Sequence, residues 1–195
     1  MPKQPIKAFA DCVNVLREIN NIPGTQAYVA GGWVRDKLNG FEPKDIDIFV
    51  TGVSTHTEVR NRLMYAPGYF LEAPKYYGNY QECDMREDVR GVLKYKDSEL
   101  DIIFMSQLDI VHVIDNFDVS VCQVYGELNE DGEIDVYASK QYLDWIERGI
   151  IYRYTNVLTT QDHLDRVQHK FNTELTPIEL EQGQLEVVKI GTIYD

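Results

Sequence analysis

The sequence predicts an α/β (α+β) fold, a mixed β-sheet with helices mostly on one face and a short C-terminal helical appendage. Three observations carry that reading. Apolar residues recur at helical spacing near the N-terminus, they alternate with acids at strand spacing through residues 45–50 and 99–105, and Gly, Pro and Asn clusters punctuate the runs between. The 195 residues suit one domain with a proper core, and 44% hydrophobic with 26% charged residues is ordinary for a soluble globule. Residues 1–155 read as the principal unit and 156–195 as a short helical extension packed on it, with no repeat or linker to mark a second domain.

Taken in order, Ile6, Phe9, Ala10, Val13, Leu16 and Ile19 form the apolar stripe of a first helix that ends near Pro23-Gly24. Ala27 to Val29 is the first strand, and Gly31-Gly32 is a turn into a short helix, Trp33 to Leu38, closed by Gly40. After the strand through Asp45, Thr55 and Glu58 read as a capping box for a helix to about Met64. Residues 65 to 89 have no clean period. They hold Tyr65, Tyr69, Tyr76, Tyr77 and Tyr80, which either stack on a base or half-bury over a core edge. Arg90 to Lys96 and Glu99 to Met105 read as a hairpin about Asp97-Ser98, and 107–115 as a helix. Val119 to Val124 and Glu133 to Tyr137 are strands around the turn 129–132. Ser139 caps a helix that stops at Gly149, and Ile150 to Tyr154 is extended. Leu164, Val167, Phe171 and Leu175 share one helical face, Thr176-Pro177 starts another short helix, and Glu186 to Tyr194 is an edge strand.

The chemistry concentrates in residues 28–50. Asp45 and Asp47 alternate with Ile46 and Ile48, so a strand projects both carboxylates to one face and buries the isoleucines on the other. Two adjacent acids repel unless a cation lies between them. Mg²⁺ or Mn²⁺ suits such a pair, because it needs only one or two carboxylates and draws its other ligands from water and phosphates. Two such ions about 3.5–4 Å apart activate a hydroxyl and stabilise a leaving pyrophosphate. Gly31 and Gly32 lack side chains, so their amides can approach the β and γ phosphates of a nucleotide, with a helix N-terminus behind them. Arg35 either meets the triphosphate or ties down Asp36, and Lys44 is either a phosphate ligand or a surface charge.

Gly31, Gly32, Arg35, Asp36, Asp45 and Asp47 together resemble the head-domain signature of the polymerase-β-like nucleotidyltransferases, in the group of CCA-adding enzymes and bacterial poly(A) polymerases. That resemblance implies the nucleotidyltransferase head fold and a metal-dependent reaction. A hydroxyl attacks the α-phosphate of an NTP such as ATP, and pyrophosphate leaves. It also implies a third carboxylate from a neighbouring strand, Asp101, with Glu99 on the same face as the second choice. Phe117 to Cys122 resembles the family's Arg-Arg-Asp-Phe-Thr-Ile-Asn segment, so Asp118 and Ser120 match residues that help hold the nucleotide sugar. Asn116 and Phe117 stand where the arginines would be, and Cys122 replaces the asparagine. Glu133 to Tyr137 resembles a later family segment in part. Asp162 to Arg166 resembles the acidic-arginine helix that opens the neck, while the base-reading Glu-Asp-x-x-Arg motif and the helical body are absent.

Charge narrows the acceptor. Acids outnumber bases 32 to 19, a net charge of −13, whereas proteins that grip nucleic acid present clustered Lys and Arg. The NTP is therefore the expected partner. Its acceptor is an RNA 3′ end, a protein hydroxyl or a small molecule, with free RNA disfavoured. No apolar run spans a membrane and the N-terminus lacks a signal peptide's apolar region, so a cytoplasmic location is expected. Cys12, Cys83 and Cys122 lack metal or disulfide spacing, and His56, His112, His163 and His169 read as surface or capping residues. One alternative stays open: a catalytically retired nucleotidyltransferase fold that acts as a binding or regulatory module.

Overall fold

The computed structural model describes residues 8–52, 56–65, 88–94, 100–106, 109–179, 181 and 183–194. Along the chain run α1 (Ala8–Asn20), β1 (Thr25–Ala30), α2 (Gly32–Leu38), β2 (Ile46–Gly52), α3 (His56–Tyr65), β3 (Val89–Lys94), β4 (Leu100–Met105) and α4 (Ile110–Asp115). After a 3-10 turn at Ser120–Cys122 come β5 (Val124–Leu128), β6 (Ile134–Ser139), α5 (Lys140–Arg148), β7 (Ile151–Tyr154), α6 (Gln161–Phe171), β8 (Leu175–Ile178) and β9 (Val187–Ile193).

Seven strands form one mixed sheet in the order β3-β4-β2-β1-β5-β6-β9, in which β2 and β4 run parallel and every other pair antiparallel. Strand alternation divides β2 between two cores. Ile46, Ile48 and Val50 face α1 (Val15, Leu16, Ile19), α3 (Val59, Leu63), Trp33 of α2 and Tyr142 of α5. Phe49 faces the other way, toward Ala30, Ile103, Phe117 and the α4 residues Ile110, Val113 and Ile114. Asp45 and Asp47 share parity with Phe49 and therefore belong to the side on which α4 packs.

Residues beyond 155 hold α6 and two strands: β9 extends the main sheet beside β6, and β8 pairs in parallel with β7. Thr176-Pro177 thus opens no helix. Pro177 sits in β8, a strand of a two-stranded sheet, where its missing N–H is tolerated at an edge. The stretch expected as a strand from Val119 coils first into the 3-10 turn, with Cys122 N donating to Val119 O (3.1 Å) and Gln123 N to Ser120 O (3.0 Å). Side-chain bonding favours that turn. Fully buried Gln123 accepts hydrogen bonds at Oε1 from Ser139 Oγ (3.0 Å) and Tyr154 OH (2.8 Å), and the strand begins only at Val124. Val119, Val121, Ile151, Leu164 and Val167 then form a satellite core that seats α6 against the turn and β7. The Thr55 capping box, the turn at 97–98, Glu99, Cys83 and the tyrosines at 69, 76, 77 and 80 lie outside the described residues.

Candidate active site

The central strands place two of the three sequence-predicted carboxylates in register. Asp47 of β2 pairs with Asp101 of parallel β4 on one side and with Ala30 of β1 on the other. Neighbouring strands lie about 4.8 Å apart, so the two acids stand side by side on one face. Asp45 precedes β2 and is exposed, while Asp47 and Asp101 are half-buried. Among the described residues no group of three His, Cys, Asp or Glu side chains comes close enough to hold a metal by itself. The donor set of hard carboxylate oxygens still fits a divalent cation whose remaining ligands are substrate phosphates and water.

The glycine turn follows from where β1 ends. Gly31 has φ 71°, a conformation that a side chain would strain, and a Cβ there would touch Phe117 Cε2 at 3.6 Å. Its N–H donates to Val124 O (2.9 Å), so this amide is committed to β5 and does not meet a phosphate. Of the two amides expected to form a cradle, that of Gly32 stands in the first turn of α2, where N–H groups have no intrahelical acceptors.

α2 then buries a charged pair. Arg35 Nε donates to Asp36 Oδ1 at 2.8 Å with both side chains nearly inaccessible, and Arg35 Nη1 lies 3.4 Å from Cys122 Sγ. Burial works against the Arg35 charge, but Cys122 and Asp36 outweigh it and raise its pKa. The Cys122 thiol is pushed up to about 11, by burial above all, with Arg35 pulling the other way. It is a neutral thiol at pH 7. Of the two roles open to Arg35, the tie to Asp36 is the one made, while the guanidinium stays at the wall of a cavity.

That cavity, about 390 Å³, gathers most of the predicted site: Gly31, Gly32, Arg35, Lys44, Asp45, Asp47 and Asp118 all line it. Asp101 does not. The cavity opens over β1, β2 and Phe117, and β4 lies one strand further out, so Asp101 reaches the space only past Asp47. Ser120 is fully buried, and its Oγ accepts from Tyr152 N (3.0 Å); it holds β7 rather than a sugar.

The fourth wall is α6, whose contribution the sequence reading missed. His163, Arg166, Val167, Lys170 and Phe171 line the cavity at the i, i+3, i+4, i+7 and i+8 spacing of one helical face. Lys170 Nζ reaches Asp36 Oδ2 at 2.5 Å, so Asp36 lies between two cations from separate helices. Both cations also lie over aromatic rings, Arg35 at 5.1 Å from Phe171 and Lys170 at 5.6 Å from Phe41. At the other end of α6, His163 Nε2 stands 3.4 Å from Asp118 Oδ2, which also accepts from the Thr159 hydroxyl. Burial pushes the Asp118 carboxyl up, but His163 and Thr159 outweigh it and hold the group below its ordinary value of 3.8. His163, expected as a surface or capping histidine, thus lines the cavity beside Asp118. The available signal was that helical spacing of His163, Arg166 and Lys170.

A profile of the Gabija anti-defense 2 (Gad2) family matches residues 4–148, about three quarters of the chain. The chain belongs to the Gabija anti-defense 2 family. The match covers the glycine turn and the three carboxylates and ends before α6. No curated protein matches this family member. Among solved structures, a CCA-adding enzyme in complex with ATP is similar with a TM-score of 0.60 and 21% identity, over 89% of this chain and 41% of that one. The Thermotoga maritima CCA-adding enzyme complexed with tRNA gives 0.58 and 19%, over 91% and 41%. A tRNA-processing enzyme in an apo form gives 0.56 and 18%, over 77% and 37%. At these identities the likeness establishes the fold, that of a polymerase-β-like nucleotidyltransferase head. The Gad2 chain spans about two fifths of the length of these structures.

Proposed function

We propose that this Gad2 family member is a metal-dependent nucleotidyltransferase, moving an NMP from an NTP to a hydroxyl acceptor with release of pyrophosphate, and that the transfer acts against the defence for which the family is named. The observation that carries the reading is the convergence of the Asp45-Asp47 pair, the glycine turn and four Lys and Arg side chains on one cavity. A structural neighbour solved with ATP supports a nucleotide in that place.

Asp45 and Asp47 would hold Mg²⁺ or Mn²⁺, with Asp101 beside them completing the set and taking the proton of the attacking hydroxyl. When bound, the ion neutralises charge on the phosphates and activates the nucleophile. The amides from Gly32 onward receive the β and γ phosphates, and Asp118 approaches the sugar. With a net charge of −13, a protein hydroxyl or a small molecule is a better acceptor than free RNA. NTPs and Mg²⁺ place the work in the cytoplasm.

A second reading, a retired site that serves as a binding or regulatory module, is favoured by one feature. Phe117 occupies a place where relatives of this fold carry an arginine, and it packs on Phe49 with ring centroids 5.8 Å apart. Incubation with each α-labelled NTP and Mg²⁺ or Mn²⁺, separately with RNA, lysate and buffer, decides between the two. Label on RNA, on a protein band or on the chain itself establishes transfer and its acceptor class. No label anywhere, with no metal-dependent NTP binding by calorimetry, leaves the retired module.

A further inference from the structure

The cavity's charge depends on α6. Among the described residues, the lining without that helix holds two bases, Arg35 and Lys44, against the four acids Asp36, Asp45, Asp47 and Asp118; Arg166 and Lys170 bring the two signs level. α6 is fastened at both ends by acids of the cavity wall, Asp118 to His163 near its start and Asp36 to Lys170 near its close. Arg166 lies between the fastenings on the same face. Among the described residues its ion pair is with Asp162, 3.5 Å away across one helical turn, and both side chains are largely exposed. Exposed pairs of this kind contribute little, so the guanidinium can turn to a better anion at small cost. Asn116 and Phe117 meanwhile leave the adjoining wall without a cation of its own.

We infer that α6 provides a polyphosphate subsite in which Arg166, flanked by Lys170, grips the β and γ phosphates of the bound nucleotide and does the work of the basic pair missing at 116–117. This rests on the nucleotide-binding reading above. A guanidinium suits the task because it donates two parallel hydrogen bonds to phosphate oxygens. The subsite reads phosphate and not base. Inorganic tripolyphosphate should therefore compete with any of the four NTPs.

Competition binding in EDTA tests this without turnover, using adenosine, AMP, ADP, ATP, GTP, CTP, UTP and tripolyphosphate on wild type, Arg166→Gln, Lys170→Gln and a remote control. The control is Arg62→Gln, an exposed residue of α3 paired with Glu18 at 3.3 Å. The expected wild-type affinity rises with each added phosphate. Arg166→Gln should weaken ATP and tripolyphosphate by about tenfold or more and leave adenosine and AMP within about twofold, as loss of one charge-assisted contact requires. Lys170→Gln should act in the same direction, and Arg62→Gln should match wild type. An Arg166→Gln chain that binds ATP normally, that loses adenosine and ATP equally, or that loses the four NTPs unequally overturns the inference while the nucleotide site stands. A wild type that binds no nucleotide or tripolyphosphate in EDTA overturns the inference, and one that also binds none with Mg²⁺ or Mn²⁺ present removes the proposed function with it.

Discussion

Asp36 holds more of the site's order than Asp45 or Asp47 beside it. Its carboxylate is almost fully buried between Arg35 at 2.8 Å and Lys170 at 2.5 Å, and it joins α2 to α6. Asp36→Ala strands a buried guanidinium and should destabilise the fold by about 3–5 kcal/mol in urea unfolding, the usual cost of breaking a buried pair from one side. Asp45→Asn, at an exposed position, should stay within about 0.5 kcal/mol of wild type. Equal effects of the two would contradict the assignment. A second residue-scale test is steric. A Cβ on Gly126 would lie 2.3 Å from Ile134 Cγ2 and 3.2 Å from Val29 Cγ1, so Gly126→Ala overpacks three strands at once and should cost about 1–3 kcal/mol. Legibility at this scale was uneven. The glycine turn and acid pair stand within twenty residues of each other and could be read directly, whereas the choice between two roles for Arg35 depended on Lys170, 134 residues away from Asp36.

At the scale of elements, α6 is the part that pH should loosen first. The Asp118 carboxyl is held below its ordinary value, so the folded state binds its proton less readily than the unfolded chain does. The stability it contributes is fully present above the ordinary value of 3.8 and is lost as pH falls through the lower folded value. The stability difference between wild type and Asp118→Asn should therefore shrink as pH falls below about 4, as read from denaturant unfolding across acid pH. A difference that grows as pH falls below about 4 would reverse the sign and refute the His163 and Thr159 assignment. Capping explains why other elements were legible. Ser139 Oγ accepts from Tyr142 N (3.0 Å) and Gly149 closes α5 at φ 70°, both local signals that need no partner. β8 and the 3-10 turn at 120–122 were misread because distant groups decide them, β7 pairing in one case and the Gln123 bonds to Ser139 and Tyr154 in the other.

For the whole molecule, the proposed function has the acidic surface repel long polyanions while the cavity accepts a short one. With 32 acids against 19 bases, the chain should not retain free tRNA in a gel shift at about 0.15 M salt, where backbone-driven binding needs several clustered cations. Retention at that salt would point to an RNA acceptor. The sheet order was only partly legible from sequence. Alternation identified β2 and β4 as strands, but that they run parallel and bring Asp47 beside Asp101 is a consequence of topology; the Leu164, Val167 and Phe171 face was legible, but not that it packs on Val119, Val121 and Ile151 to make the α6 wall. The central claim is that Asp47 belongs to a working metal site. The direct measurement is the rate of α-label transfer from NTP to the responsive acceptor by wild type and by Asp47→Asn, with circular dichroism melting of both. The account predicts loss of transfer by at least about a hundredfold with an unchanged melt, since the substitution deletes a charge and keeps the volume. Undiminished transfer by Asp47→Asn would contradict it.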